Sequence, residues 1–216
     1  MALHIVGPGF SSLVRTVRLY CLEKGLEATY GMSAYGQPIA LHGEAHRALH
    51  PFGQVPVLIH GERRVFETLA ICRYLDRAFP PAPPEAAEDP APLVDQWASA
   101  LATGVDSCLV RHYLLKVAGP RPDKTLSEAA LAHAQSRVEA TLGILQAQLG
   151  AQAFLCGARF SLADALLAPM LDYLQRMPGQ GWLAPGQPLA VYLERLRQRP
   201  SGQAVLKAPD FSELSG

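Results

Sequence analysis

Two adjacent serines follow a glycine-broken apolar run in the stretch HIVGPGFSSLVRTVRL, residues 4–19. Three chemistries fit this outline. Gly7, Gly9 and Ser12 stand at the spacing of a G-x-G-x-x-G dinucleotide cradle, whose glycines let the backbone approach a pyrophosphate. The tripeptide GFS, which ends at Ser11, begins like the G-x-S-x-G turn of a serine hydrolase. A serine hydroxyl at the start of a helix also binds a substrate's anion, or simply caps the helix.

The flanking residues argue against the first two chemistries. Pro8 puts a rigid ring inside the turn, and Ser12 takes the place of the third glycine of a dinucleotide cradle. The strands of a complete βαβαβ unit also run out near residue 66. The hydrolase motif requires glycine at position 13, where this chain has leucine. Anion binding by a hydroxyl and ordinary helix capping both stay open at this point.

A second motif, HPFGQVPVLIHGERRVFETLAICRYL at residues 50–75, resembles the glutathione-binding segment of cytosolic glutathione transferases. In that family Asn-Pro-x-Gly-(Lys/Gln)-Val-Pro-x-Leu precedes a hairpin, and Glu-Ser opens a helix that ends in Tyr-Leu. The matching residues are Pro51, Phe52, Gly53, Gln54, Val55, Pro56, Glu67, Ile71, Tyr74 and Leu75. Thr68 replaces the usual serine and keeps its hydroxyl, whereas His50 replaces the usual asparagine at a position that we interpret as structural.

A third stretch, FLCGARFSLADALLAPML at residues 154–171, resembles the family's Phe-Leu-x-Gly-x-x-Phe-(Ser/Thr)-x-Ala-Asp helix start. Three ordered motifs at compatible spacing are far more specific than any one of them. The chain is therefore similar to the serine-type cytosolic glutathione S-transferases over its whole length. The resemblance implies an α/β plus all-α fold, with a thioredoxin-like βαβαββα domain at residues 1–80. An all-helical domain at residues 88–216 would form the electrophile pocket.

The residues of the second motif have the chemistry that a peptide-like ligand needs. Val55-Pro56 precedes a strand, and a cis bond there would turn the backbone groups of Val55 toward a ligand that pairs as an added strand. Glu67-Thr68 opens a helix whose free N–H groups attract a carboxylate. Glu67 would accept from the α-amino group at the γ-glutamyl end of glutathione. Ordinary capping is the alternative for this pair.

The resemblance assigns the thiol of glutathione to Ser11. Serine-type members carry a serine four residues before an arginine, as Ser11 stands before Arg15. A donated hydroxyl hydrogen and a helix N-terminus favour the thiolate of a thiol whose pKa is otherwise about 8.5. Ser12 is the alternative to Ser11. The resemblance also assigns the glycine carboxylate of glutathione to Gln54 and to one histidine of the preceding loop, which we take as His42.

The expected reaction is attack of the glutathione thiolate on a small hydrophobic electrophile, with glutathione as co-substrate. The alternatives are a glutathione-dependent isomerase, dehalogenase or peroxidase on the same fold, and a non-catalytic glutathione-binding domain. The resemblance further implies a homodimer in which Phe52 or its neighbours pack into the partner. His42, His46 and His50 recur every four residues. Spacing without closing ligands is weak support for a metal, so none is expected.

Composition limits the partners and the compartment. Lys+Arg and Asp+Glu both number 19, so the chain has no net field to attract nucleic acid or an anionic membrane. No apolar run reaches the length of a membrane span, and no signal peptide is evident. The four cysteines form no C-x-x-C motif, which argues against dithiol chemistry and favours a reducing cytoplasm. The predominance of arginine over lysine favours a bacterial source.

A proline-rich segment at residues 79–92 indicates a surface linker between two kinds of structure. Before it the hydrophobic pattern predicts strands at 3–6, 27–30, 55–60 and 64–66, and helices at 12–24 and 68–79. After it the pattern predicts helices at 93–117, 127–149 and 190–199 and one that starts near residue 161. Ser161 and Asp164 have the form of a capping box at the start of that helix, and Pro169 is expected to bend or end it.

Overall fold

A mixed β-sheet organises the N-terminal part of the chain. The computed structural model describes residues 2–80, 91–177 and 179–211. Its backbone contacts divide the chain into two units, Met1–Glu88 with Pro209–Gly216, and Asp89–Ala208. Residues 81–90 of the predicted linker lie outside the described part of the chain.

The sheet of the first unit has four strands. They are β1 (Leu3–Val6), β2 (Ala28–Gly31), β5 (Val57–His60) and β6 (Arg63–Phe66), in the order β2-β1-β5-β6. β1 is parallel to β2 and antiparallel to β5, and β5 is antiparallel to β6. Ile5, Val6, Val57 and Leu58 are fully buried, which is typical of strands that are covered on both faces.

Two helices pack on this sheet and on each other, α1 (Ser12–Glu23) and α3 (Thr68–Ala78). Their fully buried residues include Val14, Val17, Ile71, Cys72 and Leu75. α1 ends in a Schellman motif, in which Leu26 N–H donates to Cys21 C=O at 2.9 Å. Gly25 follows the last turn with a φ of 68°, a conformation that costs glycine little.

Between β2 and β5 the chain forms a short helix, α2 (Glu44–Leu49). The predicted βαβαββα order is therefore confirmed. One feature of this segment was not predicted: β3 (Ser33–Ala34) and β4 (Gln37–Pro38) form a separate antiparallel pair. Strands of two residues carry no readable alternation, which explains why the hydrophobic pattern did not reveal them.

The second unit is helical. It contains α4 (Ala91–Ala100), a π-helical segment (Leu101–Leu114), α5 (Leu115–Val117), α6 (Glu128–Leu149), α7 (Leu162–Gln175), α8 (Pro188–Gln198) and α9 (Pro200–Val205). The predicted combination of an α/β part and an all-helical part is confirmed. α7 continues through Pro169 to Gln175, so this proline does not end the helix, which was one of the two outcomes expected for it. Within the described residues, no helix has the length and apolar character needed to cross a membrane.

The π-helical segment replaces part of the long α-helix that the sequence predicted. Hydrogen bonding from i to i+5 widens each turn, so side chains five positions apart become neighbours. Asp106 accepts from Nε of Arg111 at 2.8 Å, and Ser107 Oγ lies 3.2 Å from Nδ1 of His112. The apolar residues follow a constant spacing of four: Trp97, Leu101, Val105, Leu109 and Tyr113. That spacing departs from the mixed threes and fours of an α-helix.

A buried carboxylate fixes the start of α7. Asp164 is fully buried and accepts from the backbone N–H groups of Leu155 and Ser161, both at 2.8 Å, and from Tyr192 Oη at 2.7 Å. The predicted capping box between Ser161 and Asp164 is present. Burial raises the pKa of the Asp164 carboxyl, while its hydrogen bonds oppose that rise.

We expect Asp164→Ala to lower the free energy of unfolding by about 2–4 kcal/mol, because it leaves buried donors without an acceptor. Urea denaturation followed by circular dichroism measures this loss. Ser127→Ala is the matched control, since Ser127 caps α6 at the surface by accepting from Ala130 N–H at 3.2 Å. The control should cost about 1 kcal/mol. Equal losses in the two variants would contradict the role assigned to Asp164.

Candidate functional site

One edge of the sheet brings together three of the predicted glutathione-binding segments. Val6, the last residue of β1, pairs with Val57, the first residue of β5. Val57 in turn pairs with Phe66, the last residue of β6. The chain after Val6, before Val57 and after Phe66 therefore leaves the sheet at the same edge. These three segments contain, in that order, Ser11, Val55 and Glu67.

The turn after β1 lies directly against the segment before β5. Gly7 has a φ of 146°, and a Cβ atom there would lie 2.5 Å from Cγ2 of Val14 and 3.0 Å from Cβ of Val55. A side chain at position 7 would therefore push the first turn of α1 away from Val55. The Val55–Pro56 bond is cis, as the sequence predicted, and Val55 is half-buried.

Ser11 is the N-cap residue of α1. Its backbone is extended, with φ −67° and ψ 126°, and its Oγ accepts from Val14 N–H at 3.4 Å. Because the oxygen is the acceptor in this bond, the bond leaves the hydroxyl hydrogen available for donation to a ligand. Ser11 is half-buried, whereas Ser12 lies inside the first turn and is only 8% exposed. Of the two serines, Ser11 is the more accessible.

Arg15 supports the loop that precedes Ser11. It is only 3% exposed, and its Nε donates to the backbone carbonyl of Gly9 at 2.9 Å. A guanidinium that is held inside the fold fixes this carbonyl and adds a positive charge near the N-terminus of α1. In the sequence analysis, Arg15 served only to identify Ser11 as the serine that stands four residues before an arginine. Its burial was not predicted.

Glu67 and Thr68 form the start of α3. Glu67 is the N-cap residue with φ 69° and ψ 122°, a left-handed conformation that is costly for a residue with a side chain. Its side chain is 60% exposed, while Thr68 is almost completely buried in the first turn. A residue with a strained backbone thus carries an accessible carboxylate at the positive end of the helix.

His50 occupies the place of the family's asparagine. Its Nδ1 accepts from Phe52 N–H at 3.2 Å, the bond that an asparagine oxygen makes to the residue two positions on. Nε2 therefore carries the proton, and it lies 3.8 Å from Oε1 of Glu67. The ring is buried, with its centroid 4.8 Å from that of Phe66. The substitution thus keeps the local turn and adds a donor on the side of Glu67.

His42 and Gln54 lie on adjacent loops and are both exposed. His42 has a φ of 62°, and Gly53 packs so closely that a Cβ atom there would lie 3.3 Å from His42 Nδ1. His46 is fully buried between the two loops. Its Nδ1 accepts from His42 N–H, and its Nε2 contacts the carbonyl of Gln54, both at 3.1 Å.

From the sequence, His46 was considered as a possible metal ligand and, after His42, as one of the histidines of the loop that could bind the glycine carboxylate. Its structural use was signalled by its position one turn before His50 on a helix whose buried residues include Leu49. Such a helix presents one inward face, on which His46 lies, and His50 follows directly as the C-cap residue. Among the described residues, no group of three or more His, Cys, Asp or Glu side chains has the arrangement of a metal site.

The cysteines of the chain are buried, and none is in a disulfide. Burial raises the pKa of the Cys21 thiol to about 12 and that of Cys156 to about 11. Such thiols stay protonated and are poor nucleophiles at neutral pH. The site at the sheet edge therefore has hydroxyl, amide, carboxylate and imidazole groups to bind a ligand, but no reactive thiol of its own.

Two domain models of one protein family match this chain. The N-terminal domain of the glutathione S-transferases matches residues 10–78, and the C-terminal domain matches residues 128–195. Glutathione S-transferase F10 of Arabidopsis thaliana is 29% identical over 182 residues, which cover 81% of each chain. Glutathione S-transferase 3 of Zea mays is 29% identical over 226 residues, covering 95% of this chain and 94% of its own.

A solved structure agrees with these relatives. The theta-class glutathione S-transferase of Xanthomonas axonopodis pv. citri, crystallised with glutathione bound, superposes with a TM-score of 0.81 and is 29% identical. The match covers 96% of this chain and 98% of that one. The family resemblance that the sequence motifs predicted is thus confirmed over both halves of the protein. The chain belongs to the glutathione S-transferase family and is a glutathione transferase.

Proposed function

We propose that this transferase is of the serine type, with Ser11 as the residue that activates the thiol of glutathione. The observation that carries the proposal is the pairing of Val6, Val57 and Phe66, which brings the segments of Ser11, Val55 and Glu67 to one edge of the sheet. Ser11 is an N-cap residue whose oxygen accepts from the helix, so its hydrogen can be donated to a sulfur. The positive end of α1 favours the same anionic sulfur.

The reaction uses the thiolate as nucleophile. Binding next to Ser11 lowers the pKa of a thiol that is otherwise about 8.5, and its proton passes to solvent. The thiolate then forms a carbon–sulfur bond to the electrophile, and a leaving group departs with the electron pair of the bond that breaks. Ser11 stays unmodified and donates a hydrogen bond to the sulfur throughout. The electrophile is a small hydrophobic molecule.

The other ends of glutathione have their own proposed contacts. Thr68 and the free N–H groups of the first turn of α3 bind the γ-glutamyl carboxylate, and Glu67 accepts from the α-amino group. The backbone of Val55 pairs with the cysteinyl part as an added strand. Gln54 and His42 bind the glycine carboxylate. In this assignment each charged group of the tripeptide meets a group of suitable charge or polarity.

The proposal extends to the domains and the assembly. The glutathione-binding domain comprises residues 1–80, and the helical domain, residues 88–216, forms the electrophile pocket. We place the enzyme in the cytoplasm of a bacterium, as a homodimer without a metal cofactor. Phe52, which the family resemblance assigns to the dimer interface, is 75% exposed and is therefore accessible to a partner.

We expect Ser11→Ala to lower kcat for conjugation of glutathione to an aryl halide by about 10²-fold, the loss typical of removing a hydrogen-bond donor to a developing anion. The pKa of the bound thiol, measured from the ultraviolet absorbance of the thiolate, should rise at the same time. Ser12→Ala is the matched control and should leave both values close to those of the wild type. The reverse result, with loss only in Ser12→Ala, would exchange the roles of the two serines.

We expect Glu67→Ala to weaken glutathione binding by about 1–3 kcal/mol, because it leaves the ligand's ammonium group without its charged acceptor. Isothermal titration calorimetry measures this change. Glu62→Ala removes another exposed carboxylate, from the turn between β5 and β6, so it controls for the change in net charge. Similar affinities of the two variants would contradict the assignment of Glu67 to the α-amino group.

A further inference from the structure

A buried histidine joins the two loops that carry the proposed contacts for the glycine carboxylate. His46 has no exposed surface. On one side of its ring it contacts the backbone of His42, and on the other side the backbone of Gln54. These two partners are twelve positions apart in sequence, and α2 lies between them. Their relative position therefore depends on tertiary contacts, of which the His46 ring is one.

The two hydrogen bonds determine the tautomer of the ring. Because the N–H of His42 is a donor, Nδ1 of His46 must be unprotonated. Because the carbonyl of Gln54 only accepts, Nε2 must carry the hydrogen. The ring is consequently neutral and uses both nitrogens. A proton added to Nδ1 would place two donors against each other and break the bond to His42.

Burial favours this neutral form. It is the largest cause that lowers the pKa of His46, and the nearby His42, His50 and Arg47 lower it further. The hydrogen bond to the Gln54 carbonyl acts in the opposite direction. Since the folded value lies below the ordinary 6.5, the neutral ring prevails at pH 6.5 and above. Its contribution is lost as the pH falls through the lowered value.

We propose that His46 is a positioning residue that holds His42 and Gln54 in register for the glycine carboxylate of glutathione, and that protonation of its ring releases this end of the site. The inference rests on the proposed function, because it assumes that these two residues bind the glycine end. His46 itself does not touch the ligand. It acts through the backbone of its two partners.

The test compares two ligands that differ only at the glycine end. S-methylglutathione and S-methyl-γ-glutamylcysteine both lack an ionisable thiol, and the second also lacks glycine. We expect His46→Phe to weaken binding of S-methylglutathione by about two- to tenfold, the range for loss of one or two hydrogen bonds. Binding of the shorter ligand should not change. Isothermal titration calorimetry on the full chain measures both affinities.

Three further variants sharpen the comparison. His46→Asn keeps an acceptor near the position of Nδ1, and His46→Gln keeps a donor near that of Nε2, so each should restore part of the affinity. If His46→Phe does not fold, these two variants take its place. His60→Phe is the matched control, since His60 is also bonded in the first unit, to Tyr74 at 2.7 Å, but at the opposite end of β5 from Val57. It should leave both affinities unchanged.

The pH dependence gives a second readout. In the wild type, the preference for S-methylglutathione over the shorter ligand should fall as the pH decreases from about 8 to about 5. In His46→Gln, which has no ionisable group at this position, the preference should be much less dependent on pH. The same pH dependence in both proteins would overturn the inference, as would equal losses of the two ligands in His46→Phe. Failure of the proposed function can be distinguished from failure of this inference. If the proposed function is wrong, the wild type itself will bind both ligands equally or bind neither.

Discussion

The pairing of Val6, Val57 and Phe66 is the constraint on which the proposed glutathione site depends. Each of these residues is the last or first of its strand, so their pairing fixes where three loops begin. A shift of one residue in β5 would move each side chain to the opposite face of the sheet, and because both faces are packed, the loss of that packing maintains the register. The close contact of Gly7 with Val55 then keeps the turn before α1 beside the segment before β5. The core of the sheet thus positions a site that lies outside it.

Local fields rather than net charge provide the electrostatics of this site. The chain has equal numbers of acidic and basic residues, so long-range attraction of an anionic ligand is weak. Two helix N-termini compensate at short range, at Ser11 and at Glu67-Thr68. Two buried histidines, one in α2 and one at its C-cap, contribute in a different way. His46 and His50 use their ring nitrogens to fix loops, and neither needs a positive charge to do so.

The fold was predictable where the sequence carries a long or distinctive pattern. The strands of the sheet, α1, α3 and the capping box of α7 follow from short apolar runs, helical spacing and cap residues. The paired strands β3 and β4 are too short to show a period. In the π-helical segment Leu101–Leu114 the apolar residues are spaced four apart. An α-helix also has apolar residues four positions apart, so this spacing did not distinguish the two kinds of helix in the sequence. Pro169 lies inside α7 because the helix is buried on nearly every side, and tertiary packing offsets the lost hydrogen bond.

The sequence by itself determined the family and the order of the elements, and it supplied the residues of the proposed site, because motifs with special backbone chemistry are local. A cis-proline segment, a Glu-Thr helix start and a serine before an arginine can each be read from a few neighbouring letters. Only the tertiary structure decided which serine is accessible, how Arg15 is buried and what His46 bonds. These properties depend on residues that are distant in sequence, or on the burial of a side chain. Neither the tautomer of a histidine nor the exposure of a hydroxyl is encoded by its nearest neighbours.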